Sequence, residues 1–186
     1  MKKIDDCVSE VLITHSEIIK RTKELGKRIS KDYAGKKPIL IGLLTGAVPF
    51  FAELIKSITC DMEMDFMDVS SYEDTRSTGI VKIGKDVKRD ITNRHVIFVE
   101  DIVDTGITLD CVMKMFIAKN VASMEICTLI DKPEGRVRMN VNPKYIGFHI
   151  PKKFVVGFGL DYNQLYRNLP YIGILKEEIY TKKKEE

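Results

Sequence analysis

The chain has 186 residues, 44% hydrophobic and 31% charged, an ordinary globular composition that excludes a disordered or collagen-like polypeptide. Against a soft prior of roughly 150 residues per domain, a single domain over residues 1–186 is expected. The 30 lysines and arginines exceed the 27 acids by too little to argue for nucleic acid, and no apolar run approaches the ~18 residues of a bilayer span.

The opening MKKIDDCVSEVL puts acids where a secretory signal needs its apolar centre, so no targeting segment and a cytoplasmic location are expected. Cys7, Cys60, Cys111 and Cys127 lie far apart with no CxxC pair, so buried or surface thiols in a reducing cytoplasm are expected rather than a disulfide framework. Thr14 and Glu17 have capping-box spacing, and Ile18, Thr22, Leu25 and Ile29 recur at helical steps, so a helix is predicted from about Thr14 to Tyr33. Ile39 to Leu44 reads as a strand buried on both faces, followed by a turn at Thr45-Gly46-Ala47 and a helix from Pro49 to about Ser57. Met62, Met64 and Phe66 alternate with acids in a strand ending near Ser70. Residues 71–95 are polar, contain Gly79 and Gly84, and read as a mobile hairpin or lid. A buried strand, Val96 to Val99, is expected to stop at Glu100-Asp101, with a helix from about Thr108 to Asn120 and a strand from Ser123 to Ile130 after it. Short strands follow at Tyr145–Ile150, Phe154–Gly157 and Tyr171–Leu175, and the tail TKKKEE reads as a solvated end. The alternation implies an α/β fold, with a mainly parallel central sheet flanked by helices.

The segment VIFVEDIVDTGITLD, Val96 to Asp110, concentrates the chemistry. Ligands of open α/β sheets bind beyond the carboxyl ends of strands, and a tight turn opening a helix directs backbone N–H groups at an anion. Gly106 lets the backbone approach closely, and the Thr105 and Thr108 hydroxyls add donors, so the turn suits a phosphate. The string is neither a Walker loop nor a dinucleotide GxGxxG. Two carboxylates just ahead of a phosphate cradle repel one another unless they bind hydroxyls or a cation, and a vicinal ribose diol satisfies them.

That string resembles the phosphoribosyl-diphosphate-binding motif of type I phosphoribosyltransferases. LLTGAVPF matches the family's pyrophosphate loop and SSYEDTRSTG its flexible lid, while LIDKPEGR and FVVGFGLDYNQLYRNLPYIGIL match its base pocket. The resemblance runs from about Ile13 to Leu175 and is to the shorter, bacterial form of the hypoxanthine-guanine group. It implies a small hood over about 145–175 and Mg²⁺-dependent transfer of phosphoribosyl from 5-phosphoribosyl 1-diphosphate to hypoxanthine or guanine. It further implies that Glu100 and Asp101 take the ribose diol, directly or through Mg²⁺. Asp104, Thr105, Gly106, Ile107 and Thr108 would cradle the 5′-phosphate, with Asp104 also the general base near N7 of the purine. Lys132 would donate to O6, Phe154 would stack on the ring, and the Val155 backbone would read its edge. Asp161 would sit in the base pocket and hold a second Mg²⁺. Thr45, Gly46 and Arg167 would contact pyrophosphate, and Ser71 and Tyr72 would lead the lid.

Where relatives carry lysine in the pyrophosphate loop this chain has Thr45, which keeps the turn but removes a charge and places more weight on Mg²⁺ and Arg167. Ile107 occupies a slot that is lysine in some relatives. The family implies a homo-oligomer, dimer or tetramer. His15, His95 and His149 form no metal or nucleophile set and are expected to be structural or exposed. Two other functions are carried: a transferase preferring xanthine, and a transferase-fold regulator binding RNA through Lys20, Arg21, Lys23, Lys27 and Arg28. Adenine is disfavoured, because a lysine donor suits a carbonyl and not an amino group.

Overall fold

The computed structural model describes residues 4–71 and 81–181. Its centre is three parallel strands, β2 (Ile39–Leu44), β5 (His95–Val103) and β6 (Ser123–Asp131), each too apolar to leave a face in water. Alternation along them builds two cores. Ile39, Ile41, Val96 and Phe98 turn to one face; Leu40, Ile97 and Val99 turn to the other. Helices α1 (His15–Asp32) and α2 (Val48–Ile55) cover the second face with Ile18, Leu25, Ile29, Phe50, Phe51 and Leu54. Helix α3 (Ile107–Ala118) covers the first with Leu109, Val112 and Phe116, and the Phe116 ring meets Phe98 edge-on at 4.8 Å. Each side chain so buried contributes roughly 1.5–3 kcal/mol of transfer free energy. Helix α1 starts where the sequence places it: Thr14 accepts from the Glu17 N–H at 3.4 Å, and the Glu17 carboxylate accepts from the Thr14 N–H at 2.8 Å.

With β3 (Glu63–Ser71), β4 (Val81–Lys85) and β7 (Tyr145–His149) added, the sheet order is β4-β3-β2-β5-β6-β7. Only β4 is antiparallel to its neighbour. The chain leaves β2 through α2 to β3 on one side, then returns past β2 to β5 and leaves through α3 to β6 on the other. The loops after β2 and β5 therefore diverge at the carboxyl ends of adjacent strands, the switch point at which open α/β sheets bind ligands.

Several expectations are corrected. β1 (Val8–Ile13) was not expected; it pairs with β9 (Ile172–Leu175), which also pairs with β8 (Val155–Val156), making a separate antiparallel sheet β1-β9-β8. Its residues are largely exposed and its partner lies at the far end of the chain, so no local pattern marks it. The segment 145–150 does not belong with that sheet, because β7 extends the parallel one beside β6. Residues 71–95 are not all lid. β4 adds an edge to β3, Ile91 is buried, and Glu63 draws in Arg89 at 2.5 Å and Arg94 at 3.0 Å. Strand β5 does not stop at Glu100-Asp101 but runs on to Val103, with Glu100 paired to Thr128 of β6. The C-terminal segment forms one helical turn, α4 (Glu177–Thr181), before the described residues end. Among the described residues no helix is long and apolar enough to cross a membrane.

Candidate active site

The turn after β5 is shaped by Gly106, whose φ of +78° a β-carbon would disfavour and which caps α3 by accepting from the Asp110 N–H at 2.9 Å. The Thr105 carbonyl is taken by the N–H groups of Val137 at 2.9 Å and Arg138 at 3.0 Å, so a neighbouring loop holds the turn from behind. A cavity of about 220 Å³ opens over it, lined by every residue from Glu100 to Leu109. The structure thus brings Glu100, Asp101, Asp104, Thr105, Gly106, Ile107 and Thr108 together at the start of one helix, where the helix dipole favours an anion.

Continuation of β5 through the acids sets their directions. Neighbouring strand residues face opposite ways, so Asp101 reaches a second, larger cleft that Glu100 does not line. Burial pushes the Asp101 carboxyl up to about 6; Asp161 adds to the rise, while the Ile102 N–H at 2.8 Å and the Arg167 guanidinium oppose it. Glu100 is raised well above the usual carboxylate range, first by burial and then by the Asp101 charge. Both acids are held in a state that a bound diol or cation would relieve.

Gly46, in the loop after β2, is pressed against Asp101. A β-carbon there would lie 1.8 Å from Asp101 Oδ2, so only glycine lets the loop after β2 touch β5. Thr45 beside it is exposed. Gly159 closes the third side, its α-carbon packed so tightly on the Gly46 carbonyl that a β-carbon would lie 1.9 Å away.

Asp101 has a stability consequence. Its proton is held more tightly in the folded chain, at about 6, than at the ordinary 3.8. That binding supports the fold fully below about pH 4 and is lost as pH rises through about 6. Asp101→Asn removes the buried charge, so the unliganded variant is expected to gain up to roughly 3 kcal/mol at pH 8, several degrees of Tm. The gain should shrink towards zero near pH 4, and melting curves at the two pH values check it.

The second cleft, about 390 Å³, has apolar walls from Ile102, Leu160 and Phe154, and polar ends from Asp101, Asp104, Lys132 and Asp161. Lys132 is 7% exposed and donates to the Lys153 carbonyl at 2.7 Å. Burial lowers its affinity for a proton, and the nearby Asp104 carboxylate partly restores it. Val155 is buried beneath the cleft, while Phe154 presents an exposed ring. Asp161 Oδ1 pairs with Arg167 at 2.9 Å, and Arg167 also donates to the Gly159 carbonyl at 2.7 Å, fixing both beside Gly46. Ser71 closes β3, and Tyr72 lies outside the described residues.

Sequence reasoning missed Arg136, Asp131 and Ile102. The buried Arg136 guanidinium donates to the Asp104 carbonyl at 2.9 Å and to the Asp131 carboxylate, whose other oxygen lies 3.1 Å from His149 Nδ1. It ties the turn after β5 to the end of β6, immediately before Lys132. No spacing marks it, because an arginine after Pro-Glu-Gly reads equally well as a solvated turn. Gly135 packs on the Asp104 carboxylate, with room for no β-carbon. Ile102 was hidden by being read as part of a loop. The basic residues of α1 are partly engaged inside the fold: Arg21 donates to the carbonyls of Ile146 and Gly147 at 2.8 and 2.9 Å, and Arg28 lies 5.2 Å over the Tyr145 ring.

Among the described residues, no three His, Cys, Asp or Glu side chains converge into a metal cage. The donors at the cleft are carboxylate oxygens, which suit Mg²⁺ sharing its coordination with a substrate's own oxygens.

The phosphoribosyl transferase domain family matches residues 9–163. The hypoxanthine-guanine phosphoribosyltransferase of Streptococcus pneumoniae strain R6 is 54% identical over 179 residues, 96% of this chain and 99% of that protein. A crystal structure of a hypoxanthine phosphoribosyltransferase from Staphylococcus aureus superposes with a TM-score of 0.93 at 46% identity, covering 97% of this chain and 99% of that one. The Trypanosoma cruzi hypoxanthine phosphoribosyltransferase, solved with its product IMP, superposes with a TM-score of 0.91 at 36% identity, covering 97% and 98%. With its switch-point cleft, its acidic strand end and these relatives along nearly its whole length, the chain belongs to the phosphoribosyl transferase family, in the hypoxanthine-guanine group.

Proposed function

We propose that this protein serves purine salvage by transferring phosphoribosyl from 5-phosphoribosyl 1-diphosphate to N9 of hypoxanthine or guanine, giving IMP or GMP and diphosphate. The observation that carries the reading is a pair of adjoining cavities that share Asp101, Ile102 and Asp104: one over an acidic strand end and the turn that opens a helix, the other holding a buried lysine between apolar walls. In the reaction the C1′–N9 bond forms, the C1′–O bond to diphosphate breaks, and the purine gives up a proton. Glu100 and Asp101 hold the ribose diol, and the N–H groups and hydroxyls of the turn from Asp104 to Thr108 hold the 5′-phosphate. Asp104 accepts the proton at N7. Lys132 turns its ammonium from the Lys153 carbonyl to O6, with the ring lying against Phe154 and the Val155 backbone at its edge. Thr45, Gly46 and Arg167 face the leaving diphosphate. Mg²⁺ held by Glu100, Asp101 or Asp161 supplies neutralising charge to the diphosphate when bound. No covalent enzyme intermediate is required, so positioning and preorganised charge carry the rate. The lid that the resemblance implies, led by Ser71 and Tyr72, lies beyond Ser71 outside the described residues. The reading includes a homo-oligomer and a cytoplasmic location; the Trypanosoma cruzi relative, whose C-terminal region has been studied for its role in the oligomeric state, motivates the first, and four cysteines far apart in sequence with no CxxC pair favour the second.

Xanthine shares the 6-oxo group, so Lys132 does not separate it from hypoxanthine, and it stands as the second reading. An RNA-binding regulator is disfavoured by the engagement of Arg21 and Arg28 with β7. The test is a panel of hypoxanthine, guanine, xanthine and adenine with Mg²⁺ and 5-phosphoribosyl 1-diphosphate, following nucleotide formation. Turnover of hypoxanthine or guanine is expected; preference for xanthine installs the second reading, and turnover of adenine alone overturns the base assignment.

A further inference from the structure

Phe154 is a wall shared by two cavities. On one side is the cleft with Lys132 and Asp161; on the other is a groove of about 720 Å³ lined by Ser9, Glu10, Ile174, Lys176 and Tyr180. With 42% of Phe154 exposed, its ring is held by two tyrosines: Tyr162 meets it edge-on at 5.6 Å and 84°, and Tyr180 stacks on it at 5.3 Å and 21°. Tyr180 lines the groove and not the cleft, so it lies behind the ring rather than in the space a purine would take.

The backbone delivers Tyr180 there. The Leu175 N–H donates to the Phe154 carbonyl at 3.0 Å, fixing the end of β9 against the residue it must serve. The next N–H, from Lys176, donates to the Cys7 carbonyl at 3.0 Å and pins the exit of the chain to the start of β1. Helix α4 then begins at Glu177, and its single turn carries Ile179 and Tyr180 onto the cluster of Cys7, Val156, Leu169 and Leu175. A short C-terminal turn with little burial of its own is thus anchored by two backbone bonds, with its aromatic laid flat on Phe154.

We propose that Tyr180 is a positioning residue for the purine: it backs the Phe154 ring and holds it flat against the cleft before the base arrives. The inference rests on the placement of the base against Phe154 proposed above. Without Tyr180 the Phe154 ring gains freedom that binding must remove again, a cost borne by the base and not by the ribose diphosphate.

The test is steady-state kinetics on full-length Tyr180→Ala, Tyr180→Phe and Phe154→Ala, with hypoxanthine and 5-phosphoribosyl 1-diphosphate varied separately. Tyr180→Ala is expected to raise the KM for hypoxanthine by about three- to tenfold and to leave that for the ribose diphosphate within about twofold. Tyr180→Phe, which keeps the stacked ring, is expected to retain the parent KM for hypoxanthine. The proposal is overturned if Tyr180→Ala leaves that KM unchanged or lowers it, if both KM values rise together, or if Tyr180→Phe behaves like Tyr180→Ala. Phe154→Ala separates two failures. If it raises the KM for hypoxanthine while Tyr180→Ala does not, the backing role falls and the base pocket stands; if neither variant changes it, the base pocket falls and takes the backing role with it.

Discussion

Asp104→Asn is expected to lower kcat by about 10²–10⁴-fold while both KM values stay within a few-fold, because a positioned general base contributes about that much. Asparagine keeps the volume that packs on Gly135, where there is no space for a β-carbon beside the carboxylate. It also leaves intact the main-chain features that shape the turn: the Gly106 cap, the Arg136 bond to the Asp104 carbonyl at 2.9 Å, and the two N–H groups on the Thr105 carbonyl. What the proposed mechanism loses is the capacity to accept the purine proton, which matters only as the transition state forms. Product release rather than chemistry limits kcat in many enzymes, so single-turnover measurement of the chemical step is the decisive readout. An unchanged chemical step would remove Asp104 as the base and leave it a residue of the phosphate turn.

Lys132→Ala is expected to act on the other substrate. A hydrogen bond from an ammonium contributes about 1.5–3 kcal/mol, so kcat/KM for hypoxanthine should fall by about 10- to 150-fold. The KM for 5-phosphoribosyl 1-diphosphate should change by no more than about twofold, because the turn proposed to hold it offers backbone N–H groups. Discrimination against adenine should narrow at the same time, since a donor that no longer exists cannot reject an amino group. Alanine also leaves a cavity and deprives the Lys153 carbonyl of its partner, so Lys132→Met, which fills the stem's volume, is the companion variant. Equal loss in both variants assigns the effect to the ammonium; recovery of hypoxanthine use in Lys132→Met would assign it to packing. Losses shared equally between base and ribose diphosphate would count against a contact with O6.

The sequence was most informative where the physics is local. The Thr14–Glu17 box, the helical steps of Ile18, Leu25 and Ile29, and the apolar run from Ile39 to Leu44 each carry their own signal within a few residues, and each element stands as expected. The strand–turn–helix from Val96 to Asp110 was legible for the same reason, since strand, acids, glycine and helix start follow one another without a break. Elements that depend on a distant partner were not. β1 depends on pairing with β9, and β4 on the edge of β3; both are largely exposed and too short in apolar pattern to announce themselves. The end of β5 was misjudged because two acids read as a stop, whereas β6 alongside supplies the pairing that carries the strand to Val103.

The near-neutral charge total has the same limit. Composition excluded a membrane span and a disordered chain, and pattern together with family resemblance determined the α/β class, the turn between β5 and α3 and the residue types available for the chemistry. Only the tertiary structure decided which of those residues meet. Asp101, Gly46 and Gly159 come from three separate segments and touch because the loops after β2 and β5 open at one switch point. Arg136 became part of the site through burial against Asp104 and Asp131, and Tyr180 through an exit from β9 pinned to Phe154 and Cys7. Spacing along the chain encodes neighbours within a turn or a strand. Contacts between segments follow from sheet order and close packing, which no local window contains.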